Sequence, residues 1–253
     1  MNQFYTDENF ECTKRCAKDL FLKSEYLKRF NNYISIAKDI FSYPFSEFSC
    51  PVKRYQLNAI NKIIRILSLD IQNSIIEHVL NYDISYEYNP IIDDNFLRCH
   101  KCFKIDHYER RLEKITSPIA FNISKHPTIS SPWDIDRFID ALGTIGNSVD
   151  NPFKFDPGNH FDSILILPIN LLIIKNGYHS STSGIYDENA IYYPSHQLDI
   201  TDWYKEIYFD GIFFRHKPCD SILISPDNKS IGIIYEIGRI LYEHEESLVS
   251  LHI

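Results

Sequence analysis

Glycine and long apolar runs are what this chain has least of. Only 8 of its 253 residues are Gly, against 17 Tyr and 17 Phe. Aromatic area on that scale offsets chain entropy, so the balance excludes a disordered chain. No apolar stretch reaches the roughly 20 residues a bilayer-spanning helix needs. The longest, Ile164 to Ile174, is broken by Pro168 and Asn170. The opening MNQFYTDENFECTKR carries acidic residues where a secretory signal is basic and then apolar. A cytoplasmic protein is therefore expected, with no membrane partner. Six Cys without a dense, regular spacing then read as mostly reduced thiols. The sequence also lacks internal repeats and low-complexity segments.

The formal charge of −8 is unevenly spread. Residues 1–115 hold 17 Lys+Arg and 16 Asp+Glu, or +1, while residues 116–253 hold 9 and 18, or −9. The acidic half should repel nucleic-acid backbones and attract basic protein surfaces, so no generic DNA binding is expected.

Apolar residues recur at helical spacing from about Asp7 to Phe41 and again from Val52 to Leu80, where Ile60, Ile64, Leu67, Ile71 and Ile75 make a wide stripe. A short charged helix is expected at His107 to Ile115. Ser117-Pro118 stops it, and a boundary falls in the proline-bearing stretch that follows. Beyond it the period changes. A helix opens at Ser131-Pro132-Trp133, with Asp134 and Asp136 favoured near its start. Strands are expected at about 163–167, 171–175, 190–193 and 211–216, with a short helix at 202–208 and a last helix from Ser230. The resulting class is α+β: a helical N-terminal lobe, residues 1–115, and a mixed α/β lobe, residues 116–253.

The richest stretch is Asn176-Gly177-Tyr178-His179-Ser180, delivered by two apolar strands and followed by Ser181, Thr182 and Ser183. A turn leading into a helix start leaves backbone N–H groups unpaired, which favours an anion such as a phosphate. Asn176, Gly177, His179, Ser180, Ser181 and Thr182 are accordingly the candidate ligand-binding residues. The bland alternative is a self-capped turn with His179 merely packed. His160 and Asp210 also sit at strand ends, and with His179 they form a candidate acid–base set. Here the alternative is that Asp210-Gly211 is only a turn. Cys99-His100-Lys101-Cys102 is the one C-x-x-C. Zinc prefers four ligands, a second pair is only scattered among Cys12/Cys16, Cys50 and His107, and two reduced structural thiols are the expectation.

Gly177 and His179 resemble the glycine and histidine of the G-x-H-R phosphate motif in the ParB/sulfiredoxin-like superfamily, with Ser180 in the arginine's place. Residues 116–246 resemble more closely a bacterial family of unknown function. The shared features are Pro132-Trp133 with Arg137, Asn159-His160, Asn176 to Ser180 with its N-G-x-H-S pattern, and Asp210-Gly211-Ile212-Phe213. That resemblance implies membership without an activity. Three functions remain in play: a small-anion or nucleotide site at the NGYHS turn, an immunity or antitoxin-type protein binding a basic toxin through its acidic half, and a metal-assisted hydrolase or nuclease. The sequence names no cofactor.

Overall fold

The computed structural model describes residues 7–45, 51–82, 99 and 112–248, with side chains of the first helix from residue 19 onward. Helix α1 runs Asp7–Ser42 and α2 Val52–Tyr82. Then come strands β1 (Leu112–Lys114), β2 (Phe121–Asn122) and β3 (Thr128–Ser130), and helix α3 (Ile135–Thr144). Strands β4 (Ser163–Leu167) and β5 (Leu171–Ile174) form a hairpin that leads into helix α4 (Tyr178–Ile185). Strands β6 (Ile191–Tyr192) and β7 (His196–Asp199) precede the short helix α5 (Trp203–Glu206). Strands β8 (Ile207–Phe209), β9 (Phe214–His216) and β10 (Ser221–Ile224) lead to the final helix α6 (Ser230–Glu243). The α+β class is as expected, and no helix among the described residues is long and apolar enough to cross a membrane.

The main sheet has the order β1-β7-β4-β5-β3, with β4/β7 and β3/β5 parallel and the other pairs antiparallel. Its centre is apolar on both faces. Ile164 and Ile166 of β4, with Leu171 and Ile173 of β5, join one core. Leu165, Leu172 and Ile174 join another. A strand alternates its side chains between faces, so a continuous apolar run requires cover on both sides. The first face is covered by α2 and α6, with α1 against both. On the second lie Phe121, Ile123, Phe153, Ile185 and Tyr192, contributed by β2, α4, β6 and the loops between them. Burying Ile60, Ile64, Leu67, Ile71 and Ile75 of α2 stabilises by about 1.5–3 kcal/mol per side chain before entropy is deducted.

Several expectations change in detail. Residues 112–114 form an edge strand on β7 rather than the end of a charged helix, while residues 107–111 lie outside the described residues. The strand expected at 211–216 starts at Phe214, because Asp210 to Phe213 form a turn, and a further strand, β10, follows it. Asp134 is the N-cap of α3, not part of its first turn, and its carboxylate accepts the Arg137 N–H at 3.0 Å. Helices α1 and α2 share one core with the sheet and α6. Gln72 of α2 locks the open edge of β3. It donates to the Ser130 carbonyl at 2.8 Å and accepts the Ser130 N–H at 2.7 Å, occupying groups an edge strand would otherwise expose.

Candidate functional site

Strands β3 and β5 run parallel, with Ser130 in register with Ile174, so their carboxyl ends lie side by side. Each then feeds a helix, β3 into α3 and β5 into α4, and these two helices pack together. Sites in α/β sheets form where such ends and helix N-termini converge. A cavity of about 730 Å³ lies here, between Trp133, Asp136, Arg137 and Asp140 on one side and Asn159 and Asn176 to Ser180 on the other.

The two helix N-termini differ. Asp134 satisfies its own helix, whereas the cap position of α4 is Gly177, which has no side chain to offer. Glycine is required there for two reasons. Its φ is +74°, and a Cβ would stand 2.2 Å from Cδ2 of His160 and 2.8 Å from the Asn159 carbonyl oxygen. The first turn of α4, with no side chain at its cap position, lines the cavity from Gly177 to Ser180. Its far end is held by Arg65 of α2, which donates to the carbonyls of Ile185, Ser124 and His126. Burial pulls that guanidinium down to about 10, still charged at neutral pH and well placed at the negative end of the helix.

The hydrogen bonds fix the form of both histidines. The Asp156 N–H donates to Nδ1 of His160 at 2.8 Å, so Nε2 carries the proton and donates to Oγ of Ser180 at 2.9 Å. Ser180 in turn donates to the Gly177 carbonyl at 3.2 Å. His160 therefore braces the turn, and in this form it has no lone pair with which to activate Ser180 as a nucleophile. Burial holds its pKa below the ordinary histidine value, against the pull of the Asp156 carboxylate. Tyr192, its hydroxyl pushed up to about 12 chiefly by burial, donates to the His160 carbonyl at 3.1 Å. His179 accepts the Asp134 N–H at Nε2, 3.2 Å away, which leaves its proton on Nδ1. Burial and then the Arg137 charge lower its pKa, opposed by Asp134. Trp133 packs edge-on against His179 at 5.7 Å, with the Arg137 guanidinium 6.0 Å above the indole.

Of the residues singled out in the sequence, Asn176, Gly177, His179 and Ser180 line the cavity and His160 lies directly beneath them. Ser181 and Thr182 are fully buried and do not line it, and their hydroxyl oxygens have no hydrogen-bond partner among the described residues. Asp210 stands elsewhere, in the turn between β8 and β9. Its carboxylate accepts the N–H groups of Ile212 at 2.9 Å and Phe213 at 2.7 Å and pairs with Arg215. Cys102 lies outside the described residues, while Cys99 is buried.

Arg137 and Trp133 are the lining residues that the reading of the turn alone leaves out. Both stand in the P-W-x-x-x-R pattern, Trp133 just before the N-cap Asp134 and Arg137 in the first turn of α3. Residues 15–248 match the model of a family of unknown function, DUF6710. The chain belongs to this family. Comparison with curated proteins and with solved structures gave no match. For this DUF6710 member the chemistry of the cavity is the guide: N–H donors, one guanidinium, one imidazole and an indole face.

Proposed function

We propose that the cavity between α3 and α4 binds a small phosphate-bearing ligand of the nucleotide class. The observation that carries this reading is the start of α4, whose cap residue Gly177 offers no side chain, lining a cavity that also holds Arg137. A helix N-terminus favours an anion, and a guanidinium adds planar, charged donors. Trp133 is 41% exposed and offers a face on which a flat group can stack. The resemblance to the ParB/sulfiredoxin-like motif supports the same reading, because Arg137 supplies from α3 the cation that Ser180 does not. Asp136 and Asp140 on the same wall oppose a polyanion, which favours a single phosphate group over a nucleic-acid backbone.

Thermal unfolding with inorganic phosphate, nucleoside monophosphates and nucleoside triphosphates tests this directly. A ligand at 100 times its Kd adds about 2.7 kcal/mol to native-state stability, a readily measured rise in Tm. Arg137→Ala should remove most of the rise, and Ser180→Ala less, since that hydroxyl is already committed to Gly177. No rise with any of these ligands at millimolar concentration would end the reading.

A second reading, a basic protein partner of the immunity or antitoxin kind, rests on the −9 balance of residues 116–253. Such binding should weaken steeply between low and physiological salt and be indifferent to Arg137→Ala.

A further inference from the structure

We propose that Cys99, His216 and Cys219 bind a zinc ion through three protein ligands, tying the chain at Cys99 to the β9–β10 hairpin. Their ligand atoms all lie within 4.8 Å of one another. Sγ of Cys99 is 3.5 Å from Sγ of Cys219, and Nδ1 of His216 is 3.1 Å from the same sulfur. Tetrahedral zinc with Zn–S near 2.3 Å and Zn–N near 2.0–2.1 Å separates its ligand atoms by about 3.5–3.8 Å. The two spacings at Cys219 are within a few tenths of an ångström of these values, and the third pair, Cys99 with His216, lies within 4.8 Å. A disulfide, in contrast, needs its sulfurs at about 2.05 Å.

Three local features fit a metal better than a pair of thiols. First, Cys219 Sγ also lies 3.1 Å from Ser221 Oγ, so one sulfur with at most one proton is shared among a thiol, an imidazole and a hydroxyl. A metal-bound thiolate accepts from the hydroxyl and needs no proton. Second, the far nitrogen of His216, Nε2, faces the Glu206 carboxylate at 3.6 Å, and the ring is almost fully buried. A carboxylate behind the imidazole leaves Nδ1 as the nitrogen that faces the two sulfurs, the usual outer arrangement of a zinc histidine. Third, His216 and Cys219 stand on one hairpin turn with two residues between them, His216-Lys217-Pro218-Cys219. The turn is tight, with the Asp220 N–H returned to the His216 carbonyl at 2.8 Å and Asp220 in the left-handed region at φ +54°. A two-residue gap on such a turn lets both side chains reach one ion. Cys102 lies outside the described residues, and the site is defined without it.

Binding converts both thiols to thiolates and releases two protons to solvent, so the two sulfurs neutralise the divalent ion and the buried imidazole stays neutral.

The test uses the full chain purified without chelator, with metal measured by inductively coupled plasma mass spectrometry. About one zinc per chain is expected. Cys99→Ser, His216→Ala and Cys219→Ser should each lose most of it, whereas Cys12→Ser should retain it. Because a ligand variant can fail to fold, two further measurements stand apart from those variants. Exchange of the wild-type metal for cobalt should give the intense visible absorption of a tetrahedral thiolate site. Glu206→Gln, which reaches the ion only through His216, should weaken zinc about 10–100-fold in a chelator competition while far-UV circular dichroism stays native. Substoichiometric zinc after refolding with excess metal would overturn the site. So would a Cys99–Cys219 disulfide in protein isolated under reducing conditions, or full zinc retention in both Cys99→Ser and Cys219→Ser.

Discussion

The turns after β5 and after β8 look alike in the sequence: each follows an apolar strand, each contains a glycine at positive φ, and each holds a polar residue beside it. They differ in where their hydrogen bonds go. In Asp210-Gly211-Ile212-Phe213 the carboxylate takes two backbone N–H groups and an arginine, so the loop satisfies itself. In Asn176-Gly177-Tyr178-His179-Ser180 the cap position has no side chain, and the first turn of α4 faces a cavity. A polar motif at a strand end is thus a candidate site when it opens onto a cavity instead of closing on its own carboxylate. That accounting, rather than polarity, separates site from scaffold.

Gly177→Ala should show the largest effect. It forces a left-handed φ on a side-chain-bearing residue and drives Cβ into the His160 ring and the Asn159 carbonyl. The backbone term alone costs about 1–2 kcal/mol, and the contacts add to it because a carbonyl and a packed ring cannot yield as a side-chain tip can. At Gly211 the nearest atoms are side-chain carbons of Leu27 and Phe30 at 3.0 to 3.3 Å, so Gly211→Ala should cost less. Chemical denaturation of both variants checks the order. Equal losses would mean that His160 moves aside, and the bracing role assigned to it would fall.

Asp210→Ala comes next. It strands the Ile212 and Phe213 N–H groups and leaves Arg215 without its nearer carboxylate, a loss of about 1–3 kcal/mol. Ligand-induced stabilisation at the α4 cavity should be unchanged once the lower starting stability is allowed for. Asp210→Asn keeps the Oδ1 acceptor and should lie between wild type and alanine. A change in ligand affinity in either variant would reunite Asp210 with the histidines and restore the acid–base set.

Much of the frame was legible in the residues. The stripes of α1 and α2 and the unbroken apolar runs of β4 and β5 carry their structure openly, because four- and three-residue spacing and two-sided burial leave strong patterns. The three-residue strands β1 and β3 are too short to carry a period, and their pairing depends on distant partners: Leu112 on Leu198, and Thr128 on Leu172. At the cavity, the NGYHS turn stands out for its turn chemistry, but Arg137 and Trp133 reach it only because β3 runs parallel to β5 and brings α3 alongside α4. His160 reads as a strand-end ligand candidate in sequence. Its role as a brace depends on the Asp156 N–H, a backbone donor that no residue pattern reveals. The hairpin pair His216 and Cys219 went unread in the sequence, because only the fold brings it to Cys99, more than a hundred residues earlier.

The smallest effect expected is also the one that separates the two turns by a single titration. His160 and His179 have folded pKa values below the ordinary 6.5, in both cases chiefly through burial. The unfolded chain therefore takes up protons that the folded one refuses. Stability is at its full value above about pH 6.5 and declines as pH falls through the folded pKa values. Asp210 behaves with the same sign in a lower window. Burial pushes its carboxyl up, but the Phe213 N–H, Arg215 and the Ile212 N–H together hold it below the ordinary 3.8, so its contribution is lost only in stronger acid. Unfolding free energies measured from pH 7.5 to 5 should fall less steeply in a His160→Gln, His179→Gln double variant than in wild type, while Asp210→Asn leaves that slope unchanged. A bound anion should oppose the fall, because it favours the protonated form of His179 and offsets the Arg137 charge beside it. If the double variant and wild type share one slope, neither imidazole is held neutral by the fold, and the hydrogen-bond directions assigned to the NGYHS turn are wrong.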